Sequence, residues 1–287
     1  MLKTKKIMRT DLQSTIKWDI RLEPVTINSY LNTGKKAIIR NDNNQLLSIV
    51  GKHYEPITNS QLLEFTDKLT KTGEFKLKGF DELNNGKIIL AFLQNTNPNL
   101  TINGCKNEEY LFIGNSFDGT KRFHIGTASN LIRCANQFSS SLKVFSKKHT
   151  TYTDLNEFEI NNIIKSYKTK KGILYESFNG MESVRVDESA VNQLIKEIYT
   201  MLSSDSKAIR KKDWHNSPSM LNLHQSIERE MKDLGNNAFA LFNGVTWYTT
   251  HEMRKTDALH SHINGTANII NQKAYRFCNN LKKIGNS

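Results

Sequence analysis

The stretch GNSFDGTKRFHIGTASNLIRCANQF, residues 114–138, decides the fold. Asp118-Gly119 is a reversal signal, because both positions accept positive φ. Residues 110–117 and 121–126 on either side have strand-forming composition. They read as a hairpin closed by a type I′ turn, and a hairpin here means an antiparallel sheet. Lys121 and Arg122 flank the turn and Arg133 follows in the same unit. On extended backbone, Lys121 and Phe123 point one way and Arg122 and His124 the other.

The flanking segments extend this sheet. Residues 36–40 and 46–50 are short β-type runs joined by Asn41-Asp42-Asn43-Asn44, a hairpin signature. After Pro56 a helix begins with Thr58 or Asn59 as its cap. Leu62, Phe65, Thr66 and Leu69 form its apolar stripe, and Gly73 ends it. Phe75 and Leu77 then alternate with lysines, Asn85-Gly86 turns the chain, and residues 87–93 run back as an apolar strand.

The second half reads as helices. Asp187 caps a segment with Val191, Leu194, Ile195, Ile198 and Leu202 on one face. Ser217-Pro218 opens another, which Gly235 closes. Residues 238–253 are apolar on more than one face, which suggests self-assembly, and residues 267–284 are amphipathic with a basic outer side. Residues 143–171 are polar and lysine-rich, and read as a linker or mobile arm. The expected fold is α+β. Residues 1–150 form an N-terminal antiparallel sheet with a long helix; residues 151–287 are mainly helical, packed against or beside it.

Charge narrows the function. Forty Lys and Arg against 28 Asp and Glu leave the 287-residue chain at +12. That excess favours a polyanionic partner, usually nucleic acid. No apolar run is long enough for a membrane span. The basic N-terminal segment lacks the apolar core of a secretory signal. Cys105, Cys134 and Cys278 are unclustered, so neither a disulfide framework nor a cysteine zinc site is expected, and a cytoplasmic setting fits. His260 and His262 stand two apart without a supporting ligand motif, so no metal and no cofactor is expected. No phosphate-cradling or zinc-protease motif occurs.

Single-strand binders combine cations that track phosphates with aromatic rings that stack on bases. Lys121, Arg122, Arg133, Lys147 and Lys148 are the candidate phosphate contacts; Tyr54 and Phe123 are the candidate stackers. Asn59, Asn115, Asp118, Gly119, Asn136 and His251 read as structural residues. The alternative is a metal-dependent nucleic-acid-processing enzyme using Asn115, Asp118, Arg133, Asn136 and His251. A third reading is a host-directed protein-binding factor whose charge is incidental.

VGKHYEPITN (residues 50–59), LFIGNSFDGT and RCANQ (within residues 111–137), His149-Thr150 and FNGVTWYTTHEMR (residues 242–254) occur in that order. They resemble the signature blocks of a phage and plasmid protein family, domain of unknown function 932. The resemblance runs from about residue 38 to residue 277. Phe117 stands where the family pattern usually carries a histidine, and Thr250 where it carries an acid. The family setting is in turn similar to single-strand annealing recombinases of the Erf and Redβ type. That similarity implies a homo-oligomer holding single-stranded DNA in a basic groove without a nucleotide cofactor.

Overall fold

Antiparallel pairing organises the first half into two sheets. The computed structural model describes residues 12–28, 31–97, 101–102, 105–131, 136–150, 157–202, 216–253, 261–262 and 265–285. β1 (Ile20–Ile27), β2 (Leu31–Arg40) and β3 (Leu46–Gly51) form a three-stranded meander. The main sheet has the order β4 (Phe75–Leu83), β5 (Ile88–Asn95), β7 (Cys105–Ser116), β8 (Phe123–Leu131), β9 (Asn136–Lys147), with β6 (Thr101–Ile102) beside β7.

The type I′ turn lies one hairpin earlier than the sequence suggests. Asn85 and Gly86 hold φ of 57° and 86°, and Lys87 N–H donates to the Asn84 carbonyl at 3.3 Å. Between β7 and β8 the last paired residues are Gly114 and His124, and only Gly119 there has positive φ, at 72°. That connection is therefore a longer loop, residues 117–122, and Asp118 shapes it through its side chain rather than its backbone.

α1 (Asn59–Lys71) starts where its sequence dictates. Thr58 and Gln61 form a reciprocal capping box. The Asp19 carboxylate takes the Asn59 and Ser60 amides as well, at 2.9 and 3.1 Å. Leu62, Phe65, Thr66 and Leu69 are buried against the main sheet side.

The described parts of residues 143–171 are not a linker. They contain the end of β9 and the first part of α2 (Glu157–Glu182), at 26 residues the longest helix among those described. The long helix expected beside the sheet is instead the 13-residue α1. Ile160, Ile163 and Tyr167 of α2 enter the core under the sheet, while Leu174, Tyr175, Phe178 and Met181 enter the helical core. One helix thus serves two cores, and Lys165 and Lys168 face solvent between its apolar positions. That shared duty dilutes the single apolar stripe by which an amphipathic helix is recognised.

The second half is helical: α3 (Glu188–Leu202), α4 (Pro218–Leu234), α5 (Ala238–Trp247), a π-helical turn (Tyr248–Glu252) and α6 (Thr266–Gly285). Asp187 caps α3 by accepting from Ala190 N–H at 2.9 Å. Every residue from 238 to 246 is buried. α4, α6, α2 and the π-helical turn surround α5, so its all-round apolarity is used inside the chain. The reason for self-assembly drawn from that segment therefore falls away.

Candidate nucleic-acid interface

Three connections meet at one end of the main sheet: residues 52–58 between β3 and α1, the 117–122 loop, and residues 148–150 after β9. Backbone-directed side chains hold them together. Asn115 Nδ2 donates to the Ile57 carbonyl at 2.8 Å, Ser48 Oγ to Phe117 at 2.6 Å, and Tyr54 Oη to Ser116 at 2.8 Å. Asn59, also buried, donates to the Trp18 carbonyl at 3.1 Å. The Tyr54 ring stacks on His149 with centroids 5.1 Å apart, and Glu55 N–H donates to the His149 carbonyl at 3.3 Å.

Asp118 shapes the 117–122 loop. Its Oδ1 accepts from Ser116 Oγ, Thr120 N and Thr120 Oγ1 at 2.6, 3.0 and 2.6 Å, an Asx turn. Burial opposes its charge, but these bonds and nearby Lys87 outweigh that and hold its pKa below the ordinary value. Gly114 is obligatory for a separate reason. A Cβ there would lie 2.2 Å from the His124 ring, which covers it from the facing strand.

Around this frame Lys52, His53, Lys121, Arg122 and Lys148 are exposed. Lys52, Lys121 and Arg122 pair with no acid among the described residues. Lys147, by contrast, is half-buried and bound to Glu159 at 2.8 Å, so part of its charge is already answered. Lys52 and His53 sit inside the quoted VGKHYEPITN block and are a sequence signal that charge-counting around residues 114–138 passes over.

Both proposed stacking rings are occupied. Phe123 is 0% exposed and lies edge-on to Phe65 and Phe145 in the core. β8 begins at Phe123, so strand alternation does not reach back to Lys121. Tyr54 has its ring on His149 and its hydroxyl on Ser116. Burial, then the charge of Asp118, raises its phenol pKa. It is part of the frame, not a platform for bases.

The residues of the enzymatic alternative are not gathered. Phe123 at one end of β8 pairs with Lys147, and Leu131 at the other pairs with Asn136. Nine residues of strand span about 27 Å. Asn136 thus starts β9 at the end of the sheet opposite Asn115 and Asp118. His251 sits on the π-helical turn of the helical half, 4.0 Å from the Trp247 ring, with the Arg229 guanidinium 4.0 Å from that same ring. Arg133, Cys134 and His260 lie outside the described residues, while His262 is buried. Among the described residues no three His, Cys, Asp or Glu side chains come together to hold a metal ion. No helix among them is long and apolar enough to cross a membrane.

His149 gives the loop cluster a pH signature. It is 6% exposed, and neither ring nitrogen makes a hydrogen bond of normal geometry. Burial and neighbouring His124 push its pKa from 6.5 down to about 4, opposed by the Lys121 carbonyl. The folded value lies below the unfolded one, so unfolded chains take up the proton first as pH falls. Stability from this group is complete above about pH 6.5 and is lost between there and about pH 4. Urea midpoints measured at about pH 7.5 and pH 5 should therefore drop further for wild type than for His149→Phe. Equal drops would mean the histidine is not held neutral.

The family profile described as Domain of unknown function (DUF932) matches residues 46–276. The chain belongs to this family. The DUF932 region starts at β3, leaves β1 and β2 before it, and includes all three loops of the cluster. The two positions expected to depart from the family pattern are both interior: Phe117 is fully buried 5.8 Å from the Trp18 ring, and Thr250 is buried on the π-helical turn. No curated protein and no solved structure matches the chain.

Proposed function

We propose that the protein binds single-stranded DNA in recombination or replication of a phage or plasmid, with the three-loop cluster as its phosphate contact. The observation that carries this reading is the convergence of Lys52, His53, Lys121, Arg122 and Lys148 on one rigidly tied edge. The net charge of +12 supplies long-range attraction for the same partner. The setting comes from the resemblance to phage and plasmid proteins. Asp118 holds a turn in this reading, and the described residues of the nuclease-like alternative, Asn115, Asp118, Asn136 and His251, are split between two sheet ends and a helical turn.

Lys121 and Arg122 each neutralise one phosphate in this reading. A single-strand contact contributes about 0.7 to the slope of log K against log salt. Changing both residues to Ala should lower that slope by about 1.4, measured on a single strand of about 40 nucleotides at several salt concentrations. Both side chains are exposed, so the melting temperature should hold. An unchanged slope would remove the cluster from the interface.

A further inference from the structure

We propose that the groove between β1 and the start of α1 receives an unpaired base of the bound strand; this rests on the nucleic-acid reading above. A single-strand binder must place its bases as well as its phosphates. Phe123 and Tyr54 are both occupied, so the bases need another seat.

The groove encloses about 450 Å³, within the range of small-ligand sites. Ile20, Leu22, Pro56 and Ile57 give it apolar walls suited to the flat face of a base. Its polar rim does not suit a phosphate. Glu55 lines it and is bound to Lys36 at 2.6 Å, so the lining brings no surplus cation. The amides at the start of α1, which elsewhere attract anions, are already taken by Asp19 and Thr58. Phosphate is therefore turned away while a base, neutral and carrying an N–H donor (N3–H in thymine) for an acid such as Glu55, is accepted.

Continuity with the cations fixes the occupant. Thr150 lines the groove and stands two residues after Lys148, at most about 7 Å of chain. Glu55 directly follows Tyr54, whose hydroxyl is bonded to Ser116, the residue that leads into the 117–122 loop. A strand with its phosphates on Lys121, Arg122 and Lys148 passes the mouth of the groove.

The test compares an oligothymidine of about 40 nucleotides with an abasic strand of equal length by fluorescence anisotropy. Wild type should bind the base-bearing strand ~10-fold tighter. Leu22→Glu should bring that ratio to about 1 without changing the salt slope. Leu22 is 37% exposed on an edge strand, so the fold should tolerate the change. Thr150→Glu, at an exposed position on the groove, should reproduce the loss and serves if a melt shows Leu22→Glu to be unfolded. A ratio of about 1 in wild type, or a ratio that survives in the folded variants, overturns the groove while leaving the phosphate contact standing. Failure of wild type to bind either strand overturns the nucleic-acid reading and the groove together.

Discussion

Glu109→Ala is expected to lower the melting temperature by about 10 °C. The Glu109 side chain is 5% exposed and pairs with Lys171 Nζ, itself 14% exposed, at 2.5 Å. It also accepts from Asn95 Nδ2 at 2.9 Å, Tyr167 Oη at 3.0 Å and Tyr175 Oη at 2.5 Å. Burial, with the charge of Glu109 next, raises the Tyr167 phenol pKa. The adjoining cavity measures about 20 Å³, room for one water and no more, so the cluster is a clasp between sheet and helix rather than a ligand seat. Removing the carboxylate takes the counter-charge from a largely buried ammonium and an acceptor from three buried donors at once. Breaking one partner from such a pair costs ~3–5 kcal/mol. For a chain of this size each kcal/mol moves the midpoint about 2–4 °C. Glu109→Leu with Lys171→Met, which removes both charges, should recover a good part of the loss. A fall of less than about 2 °C for Glu109→Ala, or a double variant no better than the single one, would mean that the cluster is not a clasp.

Local rules made α1 readable: the cap, the stripe and the closing glycine all act within one or two turns. The same holds for Asn85-Gly86, whose backbone preference is its own. Asp118-Gly119 misleads because partners far along the chain set that loop. Ser48 and Tyr54 pin its backbone at Phe117 and Ser116, and the Asp118 carboxylate bonds Thr120 instead of letting its own φ reverse. Lys121 and Arg122 were legible as exposed charge because they flank a turn. Their neighbour Phe123 was not legible as core, since the strand begins two residues later than the alternation assumes. α2 was hidden by its two cores. Glu109 was hidden too: Glu108 beside it is half-exposed, and the tyrosines that satisfy Glu109 lie 58 and 66 residues away. The π-helical turn at Tyr248–Glu252 left no mark in the apolar pattern of residues 238–253, because that pattern is apolar all round.

Gly244→Ala carries the second large effect, against the usual sign. In an exposed helix interior this change gains about 1 kcal/mol, since Ala loses less freedom on folding. Here a Cβ would lie 2.4 Å from Ile227 Cα and 3.0 Å from Ile227 N. Those are backbone atoms of α4, so no rotamer change relieves the contact and the two helices must separate. The same crossing carries the buried bond from Asn243 Nδ2 to the Glu230 carboxylate. Separation strains that bond as well, and Glu230 is too deeply buried for water to replace it. Overpacking costs ~1–3 kcal/mol, and a buried polar group left without its hydrogen bond adds ~1–3 kcal/mol. Set against the propensity gain, a net loss of about 3 kcal/mol is expected in urea unfolding. Because the clash is with Cα, Ile227→Ala should not rescue Gly244→Ala, as it would if side chains alone collided. A Gly244→Ala chain as stable as wild type would mean that the α4–α5 spacing adjusts freely and that the glycine is not what sets it.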